Sequence, residues 1–291
     1  MPYFTFGADQ QLRSYALAEL LQGDSAMGIE VAIPRTSHLM RVLGRGRLRR
    51  TIRNFPSWGE FIWEQVPELK KLKPPYIEQL LVAIVGSSRE GYCNLTQFAQ
   101  SAHISRNKAA EIMRWLEKAG VWIPIRPFPY VSSVTAQRTR CHGVFFDSGL
   151  IGELISMGKD QLTGQNAHND QIFRTAVISD LIANLSRDFD DFEFWYFQRN
   201  QTIVDLIFKV SGSYHALVIN PSSASGVRSP HFLWNLESGY ANNLNWGDAF
   251  MINFSAQLRP LGLKYFRGWE IPFDAYCARA EKCSELPRTH T

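Results

Sequence analysis

LTQFAQSAHISRNKAAEIMRWLEKAG, Leu95 to Gly120, carries two helical patterns separated by a short break at His103-Ile104. Asn94 is placed to cap the first helix, with Gln97 positioned to answer it as in a capping box, and Phe98, Ala99 and Ala102 share one face. Ser105 supplies a second N-cap. Beyond it Ala109, Ile112, Met113 and Leu116 recur at three- and four-residue steps, which leaves Arg106, Asn107, Lys108 and Arg114 on the outer side. Lys118 complements the dipole at the C-terminal end, and Gly120 is the expected C-cap. Two helices joined by so tight a turn read as a helix-turn-helix.

The flanking sequence completes a larger unit. Pro74-Pro75 opens a preceding apolar helix with Ile77, Leu80, Leu81, Ile84 and Val85, the third member such a motif packs against. Downstream, Val121 to Ile125 reads as a strand, Ser132 to His142 as a polar segment with Arg138 and Arg140, and Val144 to Phe146 as a second strand. Two strands around a basic loop after the last helix make a wing. The functional reading puts the N-terminal end of the second helix in the major groove of double-stranded DNA, where Ser105, Arg106, Asn107 and Lys108 reach base edges or phosphates, with Arg114 beside them and the wing arginines on the backbone. The structural alternative is a packing module that touches protein.

Composition sets bounds on this reading. A chain of 291 residues with 45% hydrophobic content has material for a large core and about two domains. A formal charge of +4 and a pI of about 8.9 permit an anionic partner without requiring one. Cys93, Cys141, Cys277 and Cys283 form no CxxC pair and have no histidine at ligand spacing, so neither a zinc site nor a redox motif is expected, and no metal or cofactor is assigned. No apolar run reaches membrane-spanning length, and MPYFTFGADQQ lacks the regions of a signal peptide, so the expectation is a cytoplasmic protein without membrane contact.

Positive charge is concentrated near the N-terminus. Asp9 to Gln22 has a helical pattern closed by Gly23, and from Val31 to Gly59 there is no acidic residue, while Arg41, Arg45, Arg47, Arg49, Arg50 and Arg53 accumulate between apolar positions. These arginines read either as a phosphate-contacting arm whose affinity falls with salt, or as a solvated face pairing with acids elsewhere. Gly44-Arg45-Gly46-Arg47 is not followed by Gly-Lys-Ser/Thr, so no ATP hydrolysis is expected. Trp58, Phe61, Ile62, Trp63 and Val66 suggest a short helix ended by Pro67, and Lys70, Lys71 and Lys73 a basic connector.

Beyond the wing, Asp147 caps a helix, Gly158 to Asn169 is a polar loop, and a long helix runs from about Asp170 to Arg187 with Ile172, Phe173, Ala176, Val177, Ile178, Leu181 and Leu185 buried. Strands follow at Phe192–Phe197, Ile203–Val210 and Tyr214–Ile219, an α+β pattern. Further on, His231 to Asn243 reads as a helix, Ala249 to Phe254 as a strand, Trp269 to Tyr276 as a strand or helix start, and Glu281 to Thr291 as a tail. Trp122 and Trp195 are assigned to the core. His103, His142 and His215 have no partner at the spacing of a hydrolytic triad.

As an ordered set after a winged helix, Val144 to Leu150, the helix Ile172–Leu181, Phe194 to Phe197, Val204-Asp205-Leu206-Ile207 and Ala216 to Asn220 resemble the C-terminal module of prokaryotic AAA-type ATPases. The likeness covers about Tyr76 to Ala278. That module is a domain of unknown function whose last part resembles the restriction-endonuclease-like, PD-(D/E)XK, fold, and no ATPase domain is legible in residues 1–75. Metal-assisted hydrolysis on that fold needs carboxylates on adjoining strands and a lysine. Asp205 stands where the pattern has its aspartate, but the acidic-apolar-lysine triplet is replaced by Val218-Ile219-Asn220, and Arg174 stands at a helical position usually acidic, with Asp180 further along. Glu193 and Asp180 are the candidates for a migrated carboxylate. For Asp205 itself the alternative is a strand residue capping a turn or pairing with an arginine.

The sequence therefore predicts a basic region at 1–75, a winged helix at 76–146, a degenerate endonuclease-like domain at 147–280 and a tail at 281–291. It is read as a DNA-binding protein rather than an enzyme. The alternatives are a protein-interaction adaptor in a larger assembly concerned with defence, recombination or mobile elements, and a residual metal-dependent nuclease.

Overall fold

The computed structural model describes residues 57–89, 91–129, 140–157, 165–199, 202–220, 244–253, 259–261 and 267–272. They divide into two compact units, the first built from the described residues of 57–126 and 140–179 and the second from those of 127–129 and 180–272. The architecture is mixed α+β, with one sheet in each unit among the described residues. Arg41 to Arg53, Arg138, and the segments Asp9 to Gln22, His231 to Asn243 and Glu281 to Thr291 lie outside the described residues.

The first unit opens with α1 (Trp58–Gln65), capped by Ser57, whose hydroxyl accepts the Glu60 N–H at 3.3 Å. A 3-10 turn at Pro67–Leu69 follows, and then α2 (Pro74–Gly86), started by its paired prolines. Two short strands, β1 (Ser88–Arg89) and β2 (Tyr92–Asn94), form a hairpin the sequence pattern did not reveal, with Gly91 at a φ of 81° in its turn. Helices α3 (Leu95–Ser101) and α4 (Arg106–Lys118) come next, then β3 (Trp122–Pro124) and β4 (Arg126–Pro127). Strand β5 (Arg140–Phe145) returns between β2 and β3, antiparallel to both, giving the order β1-β2-β5-β3.

Strand β5 begins four residues before the expected Val144, so Arg140 and His142 are strand rather than loop positions. The reason is the unforeseen β2: its backbone gives residues 140–142 a pairing edge, so a polar sequence becomes strand through its partner. At Gly143 the backbone φ is 154°, and a Cβ there would run into the Ile123 carbonyl and the Trp122 indole, so the close approach of β3 to β5 needs glycine. Helix α5 (Ser148–Met157) is started by Asp147, 1% exposed, whose Oδ1 accepts the Gly149 N–H at 2.7 Å.

One apolar cluster draws on the five helices and on β2, β3 and β5. Trp58, Ile62 and Val66, the α2 face, Phe98, the α4 face, Trp122, Phe145 and Leu150 are all buried in it. Trp58 meets Phe146 edge-on at 6.0 Å between centroids, and Trp122 meets Phe145 at 5.2 Å. Helix α6 (Gln165–Asp188) starts about a turn earlier than its apolar pattern implied, inside the expected polar loop, and Ile172 belongs to this same core.

The second unit is organised on β6 (Glu193–Arg199), β7 (Thr202–Val210), β8 (Ser213–Asn220), β9 (Trp246–Asn253), β10 (Arg259–Leu261) and β11 (Arg267–Pro272). Sheet order is β10-β11-β9-β8-β7-β6-β4, with β6, β7 and β8 an antiparallel meander and β9 parallel to both β8 and β11. The turn from β7 to β8 has two residues, Ser211 and Gly212, at φ 49° and 76°, the left-handed pair a tight hairpin requires. The carboxylate of Asp191 accepts both turn N–H groups, Ser211 at 3.1 Å and Gly212 at 3.0 Å. Phe128 donates its N–H to the Tyr196 carbonyl and packs with Trp195, Tyr214 and Trp246 on one face of the sheet. Trp195, assigned to the core, is half-buried there, whereas Trp122 is 3% exposed.

Candidate functional site

The helix pair at 95–118 is held by its caps. Asn94 Oδ1 accepts the N–H groups of Thr96 at 3.0 Å and Gln97 at 3.3 Å, and Ser105 Oγ accepts that of Lys108 at 3.2 Å. His103 turns the chain at a φ of 52°, and Ile104 N–H bonds back to the Ala99 carbonyl. At the far end Gly120, φ 73°, donates to Glu117 O and Val121 donates to Leu116 O, the two bonds of a Schellman closure. These are the caps expected from Asn94, Ser105 and Gly120.

Burial of Phe98 and Ala99 on α3 and of Ala109, Ile112, Met113 and Leu116 on α4 sets which face points outward. That outward face carries Thr96, Gln97, Gln100, Ser105, Arg106, Asn107 and Arg114, all exposed. From Gly91 to Ala110 the chain has no acidic residue. Three features therefore coincide at the start of α4: exposed hydroxyl and amide groups, a guanidinium, and the positive end of the helix dipole.

The cations differ in what they do. Lys108 is turned back along its own helix, with Nζ 3.0 Å from Glu111 Oε2 and 4.2 Å from the centroid of the Trp115 ring. Arg114 Nε donates to the Ala110 carbonyl at 3.4 Å, which lays the guanidinium along α4. Lys118 pairs with Glu68 at 3.0 Å, and its hydrogen bond holds that carboxyl below the usual carboxylate range. Arg126 pairs with Glu117. Arg140, the first residue of β5, lies in register with Asn94, so the sheet brings a basic position beside the cap of α3.

In the second unit Asp205 is 6% exposed and accepts the Ile219 N–H at 2.6 Å. The paired register of β7 with β8 begins at Leu206 and Leu217, so the carboxylate binds a β8 amide just beyond the ladder. Glu193, a candidate for a migrated carboxylate, is exposed and 3.5 Å from Lys209, its register partner on β7. Asp180 lies on α6, Arg174 on the same helix is 5% exposed, and Val218 and Ile219 are buried. Among the described residues no three His, Cys, Asp or Glu side chains are grouped to hold a metal ion.

Two features escaped the sequence reading because they exist only through strand pairing. His215 is 6% exposed, stacked at 5.2 Å on Phe208 and at 6.4 Å on Phe250, and its Nδ1 accepts the Asp248 N–H at 3.0 Å, which places the ring proton on Nε2. Cys93 and Cys141 stand directly opposite each other on β2 and β5. Among the described residues no helix is long and apolar enough to cross a membrane. Comparison with known protein families, with characterised proteins and with solved structures finds no match for this chain.

Proposed function

We propose that this chain binds double-stranded DNA through the N-terminal end of α4, presented by a winged helix, with the second unit a nuclease-like domain that does not cut. The observation that carries the reading is the outward face of α3 and α4, where Ser105, Arg106 and Asn107 stand exposed at a helix start and no acid lies between Gly91 and Ala110. A helix inserted in the major groove presents just such groups to base edges and phosphates. The order of three helices with β2, β3 and β5 supports the winged-helix assignment, and the meander with Asp205 on its middle strand supports the endonuclease-like one. Kinship with the C-terminal module of prokaryotic AAA-type ATPases belongs to the same proposal and rests on the ordered motifs from Val144 to Asn220.

Within this reading the exposed side chains at the start of α4 are assigned different roles. Arg106 and Asn107 take the base and phosphate contacts, while Lys108, committed to Glu111 and Trp115, stiffens the helix start. The test is anisotropy of labelled duplex DNA titrated with the full chain from low to high salt. Affinity is expected to fall steeply with salt, and Arg106→Gln to lower the slope of log K against log salt by about 1. Lys108→Gln is expected to leave that slope unchanged. Absence of salt-dependent retention at micromolar protein refutes the proposal.

A further inference from the structure

We propose that Cys93 and Cys141 are a redox-modification site, a thiol pair that a low-molecular-weight disulfide such as glutathione disulfide converts into an intrachain disulfide enclosing α3 and α4. The inference does not rest on DNA binding. In the antiparallel pair of β2 and β5 the two cysteines are direct register partners. Gly143 donates its N–H to the Gly91 carbonyl at 3.0 Å, which makes 91 and 143 a hydrogen-bonded pair, and strand alternation makes Cys93 and Cys141 the next one. Cα atoms of such a pair are about 5.5 Å apart, and their side chains leave the same face of the sheet. Disulfides span Cα separations of about 4.4–6.8 Å, so the backbone spacing suits the bond, while the Cβ atoms of such a pair, about 5.5 Å apart, must close by about 1 Å through a small change in local strand twist.

Burial assigns the order of events. Cys93 is fully buried and Cys141 half-buried, so Cys141 is the entry thiol. Its thiolate attacks one sulfur of glutathione disulfide, the S–S bond breaks, and one glutathione leaves as thiolate and takes up a proton. The Cys93 thiolate then attacks Cys141 Sγ and expels the second glutathione in the same way. Two protein thiols are oxidised, one small disulfide is reduced to two thiols, and the two cysteine protons end on glutathione. Burial pushes both thiols above their ordinary range, and for Cys93 the neighbouring Cys141 adds to the effect. The exchange is therefore slow at neutral pH and faster in mild alkali. Its product ties the strand that carries Asn94, the cap of α3, to the strand that leaves the wing.

The full chain is incubated with excess glutathione disulfide at mildly alkaline pH, the exchange is quenched and the remaining free thiols are alkylated in denaturant, and the protein is digested without reduction for peptide mass spectrometry. The expected result is a linked pair of peptides containing Cys93 and Cys141, released by reductant. Cys93→Ser is expected to stop at a stable glutathione adduct on Cys141, and Cys141→Ser to leave Cys93 alkylatable. Wild-type protein that carries the adduct on Cys141 with Cys93 still free, that joins either residue to Cys277 or Cys283 instead, or that reacts at neither overturns the proposal.

Discussion

Replacement of Asp205 separates a structural carboxylate from a metal-holding one. Its Oδ2 lies 2.6 Å from the Ile219 nitrogen, the side chain is 6% exposed, and Ile219 is fully buried. A hydrogen bond to a charged acceptor contributes about 1.5–3 kcal/mol net, and an amide left buried without its acceptor costs about 1–3 kcal/mol; the two overlap, since both describe the same N–H. Asp205→Ala is therefore expected to destabilise the protein by about 2–4 kcal/mol. With a urea m-value of about 3 kcal/mol/M, that moves the unfolding midpoint down by about 1 M. Asp205→Asn keeps a carbonyl acceptor and should cost about 1 kcal/mol. The assay is urea unfolding followed by tryptophan fluorescence, with amide hydrogen exchange at Ile219 as the local readout. A carboxylate kept for a divalent ion behaves in the opposite way: its removal leaves the metal-free midpoint unchanged or raised, and millimolar Mg²⁺ stabilises wild type but not the variant. That outcome refutes the structural role assigned here and revives cleavage as the function to test.

Three further perturbations follow from the geometry. Gly143→Ala places a Cβ against the Ile123 carbonyl and 2.5 Å from Trp122 Nε1 at a φ of 154°, and is expected to lower stability by about 2–3 kcal/mol in thermal melts; an unchanged melting temperature means the approach of β3 to β5 is looser than described. Ser105→Ala removes the bond to Lys108 N–H and should cost about 1 kcal/mol by circular dichroism melting, with Ser105→Asp restoring it. Asp191 accepts the Ser211 and then the Gly212 N–H, which together hold its carboxyl below the usual range. A depressed pKa contributes stability above the unfolded value, about 3.9, that is lost as pH falls through the folded one. Asp191→Ala should thus weaken the protein at neutral pH and match wild type in strong acid; an equal deficit at both extremes would exclude the linkage.

The helix pair at 95–118 was legible residue by residue, because a cap, an apolar period and a C-terminal glycine are local signals read within a few positions of each other. Asn94, Ser105 and Gly120 do what such residues do in any helix. The β6–β8 meander was equally legible, since Ile203–Val210 and Tyr214–Ile219 are short bounded runs rich in β-branched and aromatic residues. Strand β5 was not, for residues 140–142 are polar and become strand only because β2 offers an edge. Lys108 read as a side chain reaching base edges or phosphates, and the turn geometry of α4, which stacks positions 108, 111 and 115, shows it paired with Glu111 and lying over Trp115.

What the amino-acid order determined by itself was the identity and ends of the helices and the pattern of apolar faces. Tertiary structure decided which side chains separated by dozens of residues became neighbours: Asp205 with the Ile219 amide, His215 with Asp248, Cys93 with Cys141. The physical reason is range, since capping and periodicity act across one or two turns, whereas strand register is chosen by the burial of whole faces and assigns partners that no local pattern encodes.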